Sequence, residues 1–469
     1  MPWVLARSTF PRTLMRVRQG REEARSDRHA GAIALAPRRR VPLRGRFGAT
    51  IVFGLVWAGL SVWVDRPWAA DLGGVITPAG AWVVIAGIAV VPGYLNAQLF
   101  ASLILDRPPI GRLPEAAPDV TVLVAAYDEA EGIADTIRTI LEQQYPGGIE
   151  VIVVDDGSAD GTPEIVERLA RADDRIQLVR VEHGGKAHAL NRGLASCRTE
   201  LVCTVDADTH LAPQALVRIV ARFLVSPPDT AAVAGSIQVR NRRTCFLTRL
   251  QHFDYYLSIA SIKRQQALLQ GTLVAQGAFS LYRASIVSEV GGWQNLLGED
   301  IVLTWAVLRL GMRTVFEPTA VAHTEVPTGL RAYVRQRQRW SRGMIEGLRL
   351  HGPTLIGQRR MVSHSIANNF LMPYLDFAYS IAIPAGLVGA LRGDYVLIGP
   401  LSLAVLPVNL VVIAFMRRGQ RRAFDRARLE HPRRDLFGFV CFLLAYHLIT
   451  APAACSGYLA EAAGVRKRW

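Results

Sequence analysis

Cysteine is scarce in this chain: five among 469 residues (Cys197, Cys203, Cys245, Cys441 and Cys455), with no Cys-x-x-Cys pair and no histidine at ligand spacing. That excludes a disulfide framework or a cysteine-bound metal cluster and suits a reducing compartment. Charged residues are also sparse, at 20%, so the chain is too apolar for an ordinary soluble enzyme. No Gly-x-Gly-x-x-Gly and no P-loop occurs, which closes the two commonest glycine-loop routes to a nucleotide. A net charge of +15 comes without any basic-aromatic reader motif, so nucleic acid is not an expected partner. The first residues lack the apolar core and cleavage site of a secretory signal.

What is present is hydrophobic and segmented. Half of the residues are apolar and mean hydropathy is +0.20. Arginine is concentrated in residues 1–46, Arg331–Arg342 and Arg417–Arg434. The first and last of these blocks flank apolar runs, the pattern of loops held on the cytosolic side of a membrane. Residues 1–46 read as a basic cytoplasmic tail on anionic lipid. Residues 47–105 hold two expected membrane helices, Phe47–Val64 and Ala81–Leu105, and residues 106–118 are a proline-rich linker,. Residues 119–351 have the composition of a soluble α/β domain. Residues 352–469 carry about three further expected spans, near Asn369–Leu391, Tyr395–Met416 and Leu436–Ala454. Counting crossings from an inside tail puts Arg417–Arg434 inside but Arg466-Lys467-Arg468 outside, against the charge rule. Either the last segment does not fully cross, or the weaker terminal signal is overridden.

Within the soluble part, strands are expected at Val120–Ala125, Glu150–Val154, Ile176–Val181 and Leu201–Val205. Helices are expected at Ile133–Gln144, Thr162–Arg171 and Lys186–Ser196. Such alternation predicts a parallel sheet with right-handed crossovers. Ligands of such sheets sit beyond the carboxyl ends of the strands. Four polar clusters fall there: Tyr127-Asp128-Glu129, Asp155-Asp156-Gly157, His183-Gly184-Gly185-Lys186 and Asp206-Ala207-Asp208. The third opens a helix, so its amides and the Lys186 ammonium could face an anion. The fourth pairs two hard oxygen donors suited to a magnesium-type cation on a diphosphate. Each alone also reads as turn or cap chemistry, but all four share one sheet edge. Further on come Gly298-Glu299-Asp300 before a helix at Ile301–Leu310, and Gln336-Arg337-Gln338-Arg339-Trp340. Taken alone, the former reads as an N-cap and the latter as a basic helix on lipid.

In this order, the Asp-Asp-Gly, Asp-x-Asp, Glu-Asp and Gln-x-x-Arg-Trp motifs resemble those of the membrane-bound, processive family 2 inverting glycosyltransferases, over about Val120–His351. Gly184–Asn191, Gln276–Arg283 and Val290–Trp293 look like the poly-N-acetylglucosamine, chitooligosaccharide and hyaluronan synthase branch. The resemblance implies a GT-A-type α/β nucleotide-sugar-binding domain with a mostly parallel sheet, flanked by transmembrane helices in a bacterial inner membrane, the catalytic domain cytoplasmic. It implies a UDP-sugar donor, N-acetylglucosamine first, a polysaccharide or oligosaccharide acceptor, Mg²⁺ or Mn²⁺, and membrane lipids as surroundings. Tyr127, Glu129, Asp155 and Asp156 would hold the uridine, Asp206 the nucleotide sugar, and Asp208 with Asp206 the metal. Asp300 would be the general base, while Gln336, Arg339 and Trp340 would line the acceptor site and meet the leaving diphosphate.

The chain departs from the pattern in reading Gly-Glu-Asp for Thr-Glu-Asp. It carries neither the cellulose-synthase gating motif nor a cyclic-dinucleotide domain, so second-messenger control would need a small accessory membrane subunit. Competing readings are a non-processive transferase on a lipid acceptor, a hyaluronan-type or glucan synthase, a transporter, and an inactive scaffold.

Overall fold

The computed structural model describes residues 42–466, apart from 107, 108, 110, 270, 398, 399, 433 and 434. Nearly all of the expected basic tail, and Lys467 and Arg468, lie outside the described residues. Three helices precede the sheet: α1 (Leu43–Val64), α2 (Arg66–Val75) and α3 (Pro78–Leu105). α3 widens into a π-turn at Ala86–Val90, next to Pro92, whose ring nitrogen has no N–H to give the preceding turn.

β1 (Val120–Ala126), α4 (Ile133–Leu141), β2 (Ile149–Asp155), α5 (Thr162–Ala172), β3 (Ile176–Arg180), α6 (Lys186–Ser196) and β4 (Leu201–Val205) alternate as expected. α4 ends short of Gln144, at Leu141, where the Glu142 amide donates to Arg138 O and closes the last turn. Then come β5 (His210–Leu211), α7 (Ala215–Val225), β6 (Thr230–Val239) and α8 (Phe246–Phe253). A π-turn over Asp254–Ile259 joins α8 to α9 (Ala260–Leu268). β7 (Phe279–Arg283), α10 (Ala284–Glu289), α11 (Glu299–Arg309) and β8 (Arg313–Thr324) complete the α/β unit. The remaining helices are α12 (Leu330–Gly357), α13 (Met361–Asn369), α14 (Met372–Leu391), α15 (Pro400–Ala427) and α16 (Leu436–Ala462).

The eight strands form one sheet in the order β3-β2-β1-β4-β7-β6-β8-β5. The first four are mutually parallel, and β6 and β8 pair in parallel. Only β7 and β5 run against their neighbours, so the sheet is mostly parallel. Both faces are covered, which explains the continuous apolar runs. Val120, Val122 and Val124 face Ile133, Ile137 and Ile140 of α4, while Leu123, Ile152 and Val154 face Ala187 and Leu190 of α6 on the other side.

The antiparallel insertion of β7 matters for the site. Val205 pairs with Phe279, so the loop before β7 arrives where β4 ends. β6 and β8 are aligned with β4, and their carboxyl ends fall on that same edge. Among the described residues, four stretches are long and apolar enough to cross a bilayer: Leu43–Val64, Pro78–Leu105, Met361–Leu391 and Leu436–Ala462. The expected span Tyr395–Met416 lies partly outside the described residues, and the rest of it belongs to α15, which is not one of the four. All five cysteines are free thiols.

Candidate active site

Loops after β1 and β2 are laced together before any ligand arrives. Asp128 adopts φ 53° and its Oδ1 accepts the Ala159 amide at 2.8 Å. The Glu129 amide donates to Thr162 Oγ1 at 2.8 Å. Tyr127 is left 47% exposed, its ring 4.5 Å from that of His183, which leaves aromatic surface at the rim of the cleft.

The paired aspartates after β2 point inward. Asp155 is buried and accepts the Ser158 amide at 3.3 Å, closing the turn. Asp156 is buried too, and its two carboxylate oxygens accept the Gly184 and Gly185 amides at 3.0 and 2.8 Å. His183 Nδ1 stands 3.0 Å from Oδ2 of the same carboxylate. The anion facing the start of α6 is therefore the protein's own Asp156, which corrects the expectation that these amides stand open for a ligand. Glycine is needed in this turn: Gly157 and Gly185 take φ of 78° and 89°, a region hostile to side chains.

Lys186, the first residue of α6, reaches across the cleft. Its ammonium forms an ion pair with Asp206 and lies 3.8 Å from Glu299. Burial opposes its charge, but Asp206 and Glu299 outweigh burial and raise its pKa. Asp208 accepts hydrogen bonds from Thr209 Oγ1 at 3.1 Å and from Thr324 Oγ1, at the end of β8, at 3.0 Å. Burial, then the charge of Asp206, pushes the Asp208 pKa up. Glu129 is pushed up to about 7, by burial first and then by Asp208 and Asp206. Negative charge is crowded here.

Asp300 lies in the first turn of α11, not at its cap, which is Gly298. Its Oδ1 accepts the Ile301 amide at 2.8 Å, and its Oδ2 stands 3.4 Å from the Gly277 amide nitrogen. Gly277 ties the two acidic groups to one cleft. A Cβ there would sit 2.8 Å from Lys186 Nζ and 3.7 Å from Asp206 Oδ1. The loop that carries it is pinned by its neighbours: Ser280 Oγ donates to Gln276 O at 2.7 Å and Tyr282 OH to Ala275 O at 2.6 Å. Lys263 donates to the Gln276 side chain and, at 2.5 Å, to Val274 O. Burial lowers the Lys263 pKa to about 7 although Asp300 opposes the shift.

On the far side, α12 carries Gln336, Arg339 and Trp340. Gln336 Oε1 is buried without a hydrogen-bond partner, an acceptor left for a ligand or water. Arg339 is exposed, and the Trp340 ring lies 6.2 Å from that of Tyr255 in the π-turn. Trp340 packs on a cluster of Val239, Tyr255 and Val326, so α12 meets the carboxyl ends of β6 and β8 there. Beneath Trp340, 4.5 Å from its ring centroid, lies the Arg337 guanidinium. Arg337 donates to Asp254 at 2.7 Å and to Tyr446 OH of α16 at 2.9 Å, and Tyr446 donates to Asp254 at 3.1 Å. Arg342 is likewise buried, against Glu461 of α16 at 3.0 Å. α12 thus turns two of its arginines, Arg337 and Arg342, toward α16, while Arg331, Arg335 and Arg339 stay exposed. At the crossing of α12 with the start of α11, Gly298 and Gly343 meet so closely that a Cβ on either would lie 2.6 Å from the other's Cα.

A family model described as "Glycosyltransferase like family 2" matches residues 117–343. Residues 117–343 form a glycosyltransferase family 2 domain. The poly-beta-1,6-N-acetyl-D-glucosamine synthase of Staphylococcus aureus (strain COL) is 34% identical over 230 residues, 49% of this chain and 55% of that protein. That of Staphylococcus epidermidis is 32% identical over 231 residues, with the same coverage. The chain therefore spans about half the length of the curated relatives it matches. A mannosyltransferase from Pyrobaculum calidifontis, solved with GDP-Man and Mn²⁺, aligns with 82% of this chain and 99% of its own at a TM-score of 0.57 and 22% identity. At that identity the likeness shows a shared GT-A-like fold.

For this family 2 domain, sequence reasoning missed Glu299 as a partner of Lys186, Thr324 as a partner of Asp208, and Asp254 with Tyr255 in the π-turn. An acid inside the apolar run Phe253–Ile259 was the one available signal. Among the described residues, no group of three or more His, Cys, Asp or Glu side chains is disposed to hold a metal. Asp206 and Asp208 fit a different kind of site, in which one or two carboxylates share a cation with phosphate oxygens. The crowding that raises Glu129 and Asp208 is what a cation would relieve.

Proposed function

We propose that the chain is an inner-membrane inverting glycosyltransferase, its catalytic domain cytosolic, that extends a polymer of N-acetylglucosamine from a UDP-sugar. The observation that carries this reading is the gathering of Asp206, Lys186, Gly277 and Asp300 in one cleft, with Trp340 across from them. The identity to poly-beta-1,6-N-acetyl-D-glucosamine synthases favours the sugar.

Inversion requires a single displacement. The acceptor hydroxyl attacks the anomeric carbon, the bond to UDP breaks, and one base takes the hydroxyl proton. Asp300 is that base: Ile301 N–H and the Gly277 amide fix its orientation while oxygen lone pairs remain for the acceptor. Tyr127 offers its exposed ring to the uracil, and the Glu129–Thr162 and Asp156–Gly184/Gly185 bonds keep the uridine loops in place. Lys186 is drawn to the donor's phosphates by its charge and held in line by Asp206. Asp206 and Asp208 would hold Mg²⁺ or Mn²⁺, which when bound neutralises charge on the departing diphosphate. Arg339 adds a guanidinium to the same end. Trp340 offers an indole face to the terminal sugar, and Gln336 Oε1 accepts one of that sugar's hydroxyls.

Purified full chain incubated with labelled UDP-N-acetylglucosamine and Mg²⁺ is expected to give long β-1,6-linked polymer, and no product in excess chelator. A product of one sugar on lipid would replace the synthase reading with that of a non-processive transferase. Undiminished turnover in chelator would remove the cation from the site.

A further inference from the structure

We propose that α16, although long and apolar enough to cross a bilayer, does not cross it and lies in the plane of the cytosolic leaflet as a shelf beneath α12. The inference rests on the reading of the chain as a membrane protein with a cytosolic catalytic domain.

The contacts of α16 with that domain run along its whole length. At its start, the Asp435 carboxylate binds Arg249 of α8 at 2.7 and 2.9 Å. In its middle, Tyr446 and Thr450 meet Arg337 and Tyr333 of α12 at 2.9 and 2.8 Å. At its end, Glu461 binds Arg342 and Arg349 at 3.0 Å each, and Arg342 also donates to Val465 O at 2.7 Å. A helix of 27 residues is about 40 Å long, more than the hydrocarbon core of a bilayer. A segment with both ends tied to one cytosolic domain cannot have its ends on opposite faces.

The angle to a neighbouring span agrees. Asp376 of α14 accepts from Tyr458 at 2.8 Å, the Tyr379 ring lies 5.7 Å from His447, and Ser380 stands 3.5 Å from Cys455. About one turn of α14 therefore touches some three turns of α16. Two helices running side by side would advance together, so these cross steeply. α16 advances instead with α12, where positions 333 to 342 meet 450 to 461 in the same direction. The face of α16 turned away from the domain keeps Leu436, Phe437, Leu444 and Leu459 exposed, and its occupant is the acyl layer of the cytosolic leaflet. Sequence charge adds an independent reason. A non-crossing α16 returns Arg466 to the side that holds Arg417–Arg428, where the positive-inside rule puts both,.

Three exposed positions of the full chain, Arg171→Cys, Glu430→Cys and Val465→Cys, test this with an impermeant maleimide on sealed vesicles of both orientations, scored as labelling above the parent chain. Position 171 reports the catalytic domain, and 430 and 465 bracket α16. The expected result is that 430 and 465 label from the same side, that of 171. Labelling of 430 and 465 from opposite sides overturns the proposal. Labelling of 171 from the outer side would instead sink the cytosolic assignment on which it rests. Spin labels at Leu444 and Leu459 give a second measure. In-plane placement predicts equal depths, whereas a crossing helix would separate them by about 22 Å.

Discussion

Asp206 and Asp208 stand at the end of a strand hemmed by β1 and β7, in a sheet buried on both faces, whereas Gln336, Arg339 and Trp340 stand on a helix packed against α11, α13 and α16, with the π-turn beside it. The donor side takes its geometry from backbone ladders and apolar packing inside one domain. On the proposed acceptor side charged and aromatic contacts with the π-turn and an apolar helix are added: Arg337 with Asp254 and Tyr446, and Arg342 with Glu461. Ladders of this kind tolerate a change of surroundings. A buried ion pair does not, because losing one partner strands the other.

The sharpest test acts where the halves join. Asp300→Asn is expected to cut transfer by about 10²–10⁴-fold while UDP binding, read by calorimetry, stays unchanged; near-normal turnover would remove Asp300 as the base. Next in size, Arg337→Met leaves Asp254 buried and unpaired and should cost about 3–5 kcal/mol. The comparison requires that loss to appear as weaker acceptor use and shorter product, with UDP affinity intact. An equal fall in UDP affinity would show that the two sides are not held separately.

A subtler effect concerns Glu299, pushed up to about 7 by burial and then by Asp300. Its folded form holds a proton more tightly than the unfolded chain does, so its contribution is full below its ordinary pKa and is lost as pH rises toward 7. Glu299→Gln should flatten the fall in thermal midpoint between about pH 4.5 and 7; an unaltered slope would mean the carboxylate is ionised throughout. Smallest is Tyr446→Phe, which removes one hydroxyl from the Arg337–Asp254 pair at about 1 kcal/mol. It should shorten product slightly, leave folding intact, and so report the acceptor seam where Arg337→Met proves too disruptive.

Much of the donor side was legible in the sequence. Parallel strands covered on both faces leave unbroken apolar runs, and β1 through β4 were delimited to within about a residue. The acidic clusters followed from those ends. Beyond Val205 the signal weakens. β6 is built of small residues, β5 is two residues long, and nothing in Phe279–Arg283 announces that β7 runs backward. The π-turn hides Asp254 and Tyr255, since an inserted residue breaks the 3.6-residue period on which a helix is read. Partners such as Glu299 and Thr324 belong to tertiary structure, where each is defined only by what it touches.

The contact of Gly298 with Gly343 bears on how a polymer would move. Backbone rests on backbone there, with no side chain to change rotamer, so α11 and α12 are yoked at their crossing. The proposed base, Asp300, and the proposed indole floor, Trp340, stand on the two helices so joined, and the span between them would stay fixed. Translocation by one sugar would then be a slide of the product over a stationary seat, driven by its own relaxation rather than by jaws that open and close.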